Sequence, residues 1–260
     1  AANPVSPAPY ARENEMLMRE VFTYCPEISH RFLPFVSLDP GREIRRQLEY
    51  LEQLNEAFPV YGIKVSPVLC QTPVRRLLDS GLAFIEFALE RDIPFLFHTT
   101  VDPQEEYSQP DAMFEIAEMF PALRICLAHC IGFDRERLDR AASLPNVWVD
   151  TAALKIQVEL ASADSPVMAT RERRFTSDFS DFKAVMRDLA LAYPDTILWG
   201  SDSPAYSYMC QRKQSENAVQ TFSLKALYED EKAALDGLEP QRKKAVSNTN
   251  TLDFLFGNND

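Results

Sequence analysis

The sequence lacks the features that mark several large classes of protein. No apolar run approaches the roughly 20 residues that a membrane-spanning helix needs, and the N-terminal segment lacks the basic-then-apolar profile of a signal peptide. No long basic run is present, and 27 Lys and Arg stand against 39 Asp and Glu, a formal charge of −12. Binding to nucleic acid or to an anionic membrane surface is therefore not expected, and we predict a cytoplasmic protein.

The sequence also lacks the cysteine spacing of a disulfide framework or a zinc ribbon. Its 5 cysteines are scattered without a C-x-x-C pair, which predicts reduced thiols. Cys126 and Cys130 flank His129, as ligands of a metal cluster could, but we interpret them as buried thiols because free cysteine packs well in a core. No linker or low-complexity tract divides the chain, so we expect one domain over residues 1–260.

What the sequence does contain is an alternation of short apolar segments and longer helical stripes. This alternation predicts βα units around a parallel sheet. The predicted strands are Phe32–Leu38, Val60–Ser66, Pro94–Thr99, Leu123–Cys130, Asn146–Thr151 and Thr196–Asp202. The helical stripes run from Ile44 to Phe58, from Leu78 to Leu89, from Met113 to Phe120 and from Phe182 to Leu189, the last with Ser177 as its candidate N-cap.

Four predicted strands carry a chemically useful side chain near their carboxyl ends: Lys64, His98, His129 and Asp202. The carboxyl ends of the strands in a parallel barrel open onto one face, so these side chains should converge there. Each alone has a plainer explanation, such as a hydrogen-bonded core histidine, a helix cap or a lysine that reaches solvent. The chain has only 3 histidines, however, and two of them occupy equivalent positions. Imidazole and carboxylate are ordinary zinc ligands.

Six segments in order carry a resemblance to a known family. They are "GIKVSP", "IPFLFHT", "RICLAHCIGF", "NVWVDTAA", "ILWGSDSP" and "VSNTNTLDFLF". Together they resemble the amidohydrolase-related (amidohydrolase 2) family, which contains aminocarboxymuconate-semialdehyde decarboxylase and related TIM-barrel metal-dependent hydrolases. The most specific element is the ordered set H-T, A-H and G-S-D-x-P.

The resemblance implies a fold and a role for each residue at the strand ends. It implies a (β/α)8 TIM-type barrel in which His98 binds a divalent metal ion, most often zinc. Asp202 would be a second ligand that also hydrogen-bonds the metal-bound water, and His129 would act as acid, base or oxyanion stabiliser. Lys64 would contact a substrate carboxylate, or, as an alternative, would be a carbamylated lysine that bridges two metals.

One family feature is missing from the sequence. The first strand of the family ends in an H-x-H pair that supplies two metal ligands, and no H-x-H occurs here; His30 precedes the first predicted strand and cannot replace it. By order, Phe32–Leu38 corresponds to the third strand of the family, so the first one or two βα units are absent. We expect the sequence to be a piece of a longer enzyme. The alternative is a whole chain with an incomplete barrel, which would bind metal poorly and expose sheet edges.

A long predicted loop separates Thr151 from Ser177. Loops of this length in compact domains are commonly lids or binding loops. Arg171 and Arg174 within it are candidates to bind an anionic substrate; the plainer interpretation is a solvated charge cluster on an acidic protein.

The leading hypothesis is a metal-dependent hydrolase of a small amide, lactone or ester. His129 and Asp202 would be the catalytic residues. A non-oxidative decarboxylase of an aromatic or unsaturated acid, a metal-free lactonase, and an inactive barrel that serves as a binding subunit are the alternatives. Similar proteins are often homodimers, and we expect a small-molecule substrate, anionic if Lys64 and the arginines contact it.

Overall fold

Residues 8–215 and 218–257 are described by the computed structural model. In this part of the chain, six parallel strands form one sheet in chain order. They are β1 Phe35–Ser37, β2 Gly62–Val65, β3 Phe95–Phe97, β4 Ile125–Leu127, β5 Val147–Asp150 and β6 Ile197–Leu198. A separate antiparallel hairpin pairs β7 Ser207–Ser215 with β8 Ala218–Lys225.

Helices connect the strands of the sheet and follow the hairpin. They are α1 Ala11–Arg19, α2 Ile44–Ala57, α3 Pro67–Cys70, α4 Leu82–Glu90, α5 Pro110–Met119, α6 Arg135–Ser143, α7 Leu154–Ser162, α8 Phe182–Ala192, α9 Tyr228–Asp236, α10 Pro240–Lys244 and α11 Asn250–Phe256. Single turns of other helix types occupy Glu20–Tyr24, Pro26–Arg31, Val74–Leu78, His129–Phe133 and Ala245–Thr249. No helix within the described ranges combines the length and the apolar character needed to cross a bilayer.

The two faces of the sheet belong to different apolar clusters, as the period of two along each strand requires. The helix face, which includes Val36, Ile63 and Phe95, is completely buried in the main core together with apolar side chains of the connecting helices. The opposite face, which we call the inner face, forms a smaller cluster whose members are Phe35, Leu96, Cys126, Trp148 and Leu198 of the sheet with Phe254 and Leu255 of α11. The C-terminal helix therefore covers part of the inner face.

All six strands lie within the segments that the sequence predicts, and each is shorter. The predicted strand Thr196–Asp202 shrinks to Ile197–Leu198, so Asp202 lies in the following loop with a left-handed φ of 58°. The candidate cap Ser177 was wrong: the side chain of Asp181 accepts from the backbone N–H of Lys183 at the start of α8.

Helix α7 and the β7–β8 hairpin were missed in the sequence. In α7 the apolar residues Leu154, Ile156, Val158 and Leu160 are all buried. Apolar residues at every second position are the pattern typical of a strand. Because α7 is buried on several sides, its apolar residues are not confined to one helical face, and the sequence did not predict a helix here. The connection predicted as one long loop therefore contains α7, and the loop proper runs over residues 163–181.

The first edge of the sheet is covered by a side chain. The backbone N–H of Ser37 in β1 donates to Asn14 Oδ1 at 2.8 Å, and Asn14 Nδ2 donates to the Ser37 carbonyl at 2.9 Å. A carboxamide thus satisfies both backbone groups of Ser37, as a neighbouring strand would. Helix α1, which carries Asn14, is held against β1 by these bonds.

Candidate active site

His98 and His129 meet beyond the carboxyl ends of neighbouring strands. His98 follows β3 and His129 follows β4, and these strands pair in parallel register. His98 Nδ1 lies 3.0 Å from His129 Nε2, and the two rings stand edge to face with centroids 4.8 Å apart. The convergence predicted from the sequence is confirmed for this pair.

The protonation pattern of the pair follows from its outermost acceptor. His129 Nδ1 lies 3.0 Å from the carbonyl oxygen of Ala152, which can only accept, so Nδ1 carries the proton. In the neutral ring Nε2 is then the acceptor for a proton on His98 Nδ1. His98 Nε2 is left with a lone pair. Burial lowers the pKa of His98 well below its usual value, and His129 and the Lys64 cation lower it further. His98 is therefore neutral at neutral pH.

His129 begins a left-handed turn. The five consecutive residues His129–Phe133 have φ between 49° and 63°, a conformation that disfavours each L-residue other than glycine by about 1–2 kcal/mol. Gly132 suits it, and a Cβ at Gly132 would also lie only 2.6 Å from Val101 Cγ2. Two bonds from outside hold the turn: Ala169 N–H donates to the Gly132 carbonyl at 3.0 Å, and Phe175 N–H donates to the Phe133 carbonyl at 2.8 Å. Such strain persists where the surroundings impose it, as they do at functional sites.

Lys64 and Asp202 lie close enough to each other to change each other's pKa. Burial lowers the pKa of Lys64, opposed by the negative charges of Asp150 and Asp202. Burial raises the pKa of Asp202, opposed by His129 and Lys64. Lys64 is on β2 opposite Leu96, on the inner face of the sheet. The structure therefore gathers all four residues that the sequence predicted at strand ends.

A cavity of about 230 Å³ opens beside the two histidines. Its wall combines apolar side chains, among them Val68, Leu160 and Met168, with the carboxylates Asp102 and Glu105. None of its described lining residues is a lysine or an arginine, and Lys64 and Asp202 are not part of the wall. Asp102 and Glu105 belong to the loop that follows His98.

Arg171 and Arg174 do not reach this cavity. Arg171 is exposed and forms a salt bridge with Asp164. The guanidinium of Arg174 is buried; its Nε and Nη2 donate to the carbonyl of Ala169, and its Nη1 donates to the carbonyl of Ala161. The structure gives neither arginine a contact with the cavity.

Asp150 is a residue of the site that the sequence reasoning missed. It ends β5 and is 8% exposed, and its Oδ1 accepts from the backbone N–H of His129 at 3.0 Å. The available indication was a carboxylate at the end of the apolar run "NVWVD", the same pattern that pointed to Asp202.

The residues present do not complete a metal centre. A catalytic zinc site uses three protein ligands, whereas the described residues contain no group of three or more His, Cys, Asp or Glu side chains placed to hold a metal ion. His98 Nε2 has a lone pair to offer, and Asp202 is a nearby carboxylate, but His129 Nε2 is already bonded to His98. The metal roles of His98 and Asp202 remain predictions.

Comparison with known proteins identifies the family and the fold. The amidohydrolase family model matches residues 4–256. An uncharacterized TIM-barrel protein from Bordetella bronchiseptica is 17% identical, with a TM-score of 0.59 over 93% of this chain and 71% of that one. A dihydroorotase from Campylobacter jejuni is 13% identical, with a TM-score of 0.57 over 93% and 70%. An IDCase from Metarhizium anisopliae is 12% identical, with a TM-score of 0.53 over 95% and 70%.

A search among curated proteins finds no match. The structural neighbours agree with the predicted (β/α)8 TIM-type fold that lacks some units, because six of its strands are present in parallel order. Members of the amidohydrolase superfamily include hydrolases and decarboxylases and generally use divalent metals. The family model covers nearly all of the sequence, and the chain therefore belongs to the amidohydrolase family.

Proposed function

We propose that the chain hydrolyses a small, uncharged amide, lactone or ester. The observation that carries this proposal is the hydrogen-bonded His98–His129 pair, in which His98 is neutral, at the edge of a compact cavity with an apolar and acidic wall. Histidine that is neutral at neutral pH and bonded to an oriented partner is suited to general acid–base catalysis of carbonyl hydrolysis.

His98 and His129 supply the proton transfers in this proposal. The lone pair on His98 Nε2 accepts a proton from the attacking water. The cation that forms on His98 is stabilised by its Nδ1–H bond to His129 Nε2, at 3.0 Å. Because burial lowers the pKa of His98, the protonated ring is a stronger acid than usual and returns the proton readily to the leaving group.

The cavity wall favours hydrolysis over the alternative, decarboxylation of an anionic acid. A carboxylate substrate would face Asp102 and Glu105 across the cavity, and no described lining residue offers a positive charge. Like charges at short range in a partly buried site repel. The structural neighbours include a dihydroorotase, which is a hydrolase, and an IDCase, which is decarboxylase-like. The fold alone therefore does not separate hydrolysis from decarboxylation.

The proposal is tested with matched pairs of neutral esters, lactones and amides and their carboxylate-bearing analogues. We expect turnover of neutral compounds, a loss of about 10²–10⁴-fold in kcat for His98→Ala, and no loss for His30→Ala, which is exposed in Pro26–Arg31. Glu105→Gln should raise kcat/KM for the anionic analogues selectively. Absence of any turnover would support an inactive binding subunit instead, and release of CO₂ from the acids would support decarboxylation.

Metal binding is tested separately by elemental analysis. His98 Nε2 cannot bind a metal ion and accept a proton at the same time. Bound metal that falls in His98→Ala and in Asp202→Ala, and is unchanged in His30→Ala, would support the metal-ligand role and exclude His98 as the general base. Equal metal content in all of these proteins would contradict the ligand assignment. This measurement does not depend on a known substrate.

A further inference from the structure

Asp150 holds two backbone groups at the centre of the site. Its Oδ1 accepts from the N–H of His129 at 3.0 Å and from the N–H of Ala152 at 2.9 Å. The thiol of Cys126 approaches its other oxygen, Oδ2, at 3.8 Å, a weak contact. Hydrogen bonds to an ionised acceptor are roughly twice as strong as neutral ones, so this carboxylate is a firm anchor for both N–H groups.

These bonds form a closed ring around His129. Asp150 holds the backbone nitrogen of His129 directly and also holds the backbone of Ala152, whose carbonyl accepts from His129 Nδ1 at 3.0 Å. One side chain therefore controls both the position of the His129 backbone and the acceptor of its ring proton. A shift of Ala152 would release that acceptor.

The backbone of His129 needs such an anchor. His129 has φ 63° and is the first residue of the left-handed turn, so its conformation is not one that the residue prefers by itself. The bonds from Ala169 and Phe175 hold the far end of the turn at Gly132 and Phe133. Asp150 holds the end that carries the imidazole.

We infer that Asp150 is the positioning residue that fixes the orientation and tautomer of His129 and, through the hydrogen bond between the rings, of His98. With Asp150 in place, the proton of neutral His129 stays on Nδ1 and the lone pair of His98 stays on Nε2. This inference concerns the state of the protein itself and stands whether or not the site hydrolyses a carbonyl compound.

Histidine tautomers can be measured directly by ¹⁵N NMR of histidine-labelled protein. With only 3 histidines in the sequence, the side-chain spectrum is simple, and exposed His30 serves as an internal reference. Two substitutions separate the contributions of Asp150. Asp150→Ala removes the acceptor, whereas Asp150→Asn keeps an oxygen at Oδ1, removes the charge and replaces Oδ2 by an amide nitrogen.

Thr151→Val is the matched control. Thr151 is the next residue, is completely buried and uses Oγ1 to accept from Gly200 N–H at 3.3 Å, so its loss removes a hydrogen bond at the same strand end without touching His129. If Asp150 only stabilised the fold, Asp150→Ala and Thr151→Val would behave alike. Both variants would be less stable than the native protein, and His129 would keep its native tautomer in both.

We expect His129 in the native protein to show one Nδ1–H form, and Asp150→Ala to shift its two nitrogen resonances toward each other, as a mixture of tautomers does. Thr151→Val and Asp150→Asn should retain the native form. In Asp150→Asn the amide protons of His129 and Ala152 should move upfield, since their acceptor loses its charge. A folded Asp150→Ala with the native tautomer overturns the inference. If that variant does not fold, unmoved amide protons in Asp150→Asn overturn it.

Discussion

Arg174 and Arg171 lie three residues apart and have opposite surroundings. Arg174 is 8% exposed, donates to two carbonyls at the end of α7 and in the following loop, and stacks its guanidinium 5.2 Å from the ring centre of Phe179. The side chain of Arg171 is 73% exposed. The planar guanidinium of Arg174 therefore links the loop over residues 163–181 to α7 by donating to a carbonyl in each. A lysine cannot replace it, because its single ammonium group does not present several donors in a fixed planar arrangement.

Replacing each of these arginines by lysine should separate their roles. We expect Arg174→Lys to lower the free energy of unfolding by about 2–3 kcal/mol, because charged donors to buried carbonyls are lost. Arg171→Lys should change it by less than about 0.5 kcal/mol, since exposed ion pairs contribute little. Urea denaturation of both variants measures the difference. Equal effects would contradict the structural role given to Arg174.

At the scale of residues, the sequence predicted the site residues that directly follow an apolar run. It did not predict the residues whose roles depend on hydrogen bonds to backbone groups far away in the chain. His98 and His129 were found because a polar residue at a strand end is visible in one dimension. The role of Asp150 depends on the N–H of His129, 21 positions away, and the burial of Arg174 depends on carbonyls exposed by a helix that was not predicted. The left-handed turn was invisible because four of its five residues rarely adopt that conformation.

Glu231 of helix α9 accepts hydrogen bonds from the start of α7 and from the residue that follows β6. Glu231, 1% exposed, accepts from the backbone N–H groups of Leu154 and Lys155 at 3.1 and 3.2 Å, the first residues of α7. The N-cap of α7, Ala153, has no side-chain acceptor of its own. The carbonyl of Glu231 also accepts from Trp199 Nε1 at 3.2 Å, just after β6. A distant glutamate thus replaces a local N-cap.

The stability of the protein should depend on pH through Glu231. Burial raises the pKa of Glu231 to about 7 from 4.5. The folded state favours the protonated form of Glu231. The contribution of Glu231 to the free energy of unfolding is therefore fully present below pH 4.5 and is lost as the pH rises through 7. We expect up to roughly 3 kcal/mol of unfolding free energy to disappear over that range. Urea denaturation at pH 5 and pH 8 should show that Glu231→Gln lacks this component.

Asp230→Asn is the control for this pH dependence. Asp230 is the neighbouring acid, and its pKa is lowered by its hydrogen bond with Lys155, so it is ionised throughout the tested range. Its replacement should lower stability by the same amount at both pH values. A fall in the stability of Glu231→Gln as steep as that of the native protein would contradict the assignment.

At the scale of the whole molecule, the inner face of the sheet depends on α11. Phe254, 5% exposed, packs its ring 5.8 Å from Trp148 and 6.3 Å from Phe35. A cavity of about 230 Å³ lies next to it, and its wall includes Phe254, Phe35 and the carboxylate of Asp150. The C-terminal helix therefore supplies a large part of the packing on the side of the sheet that the connecting helices do not cover.

Phe254→Ala should destabilise the protein by about 3–5 kcal/mol, the usual cost of removing a buried phenylalanine ring. Phe256→Ala is the matched control on the same helix; Phe256 is 42% exposed, and its loss should change the unfolding free energy by less than about 1 kcal/mol. Thermal and urea unfolding measure both. Similar losses would show that the inner face is not a packed core.

The order and direction of the six strands followed from the alternation of apolar runs and helical stripes, because parallel strands joined by helices permit few arrangements. The same pattern did not predict the hairpin of β7 and β8 or the helices after it. Their polar and mixed sequences carry weak periodicity, and their placement is decided by contacts such as that of Phe254 with the inner face, formed by residues far apart in the chain.

The left-handed turn also connects the histidine pair to a distant loop. Two of the bonds that hold it come from Ala169 and Phe175, both in the loop over residues 163–181. The loop holds one end of the turn, at Gly132 and Phe133, while Asp150 holds the other end, at His129. The strained backbone beside the histidine pair therefore depends on a loop that lies far from it in the sequence.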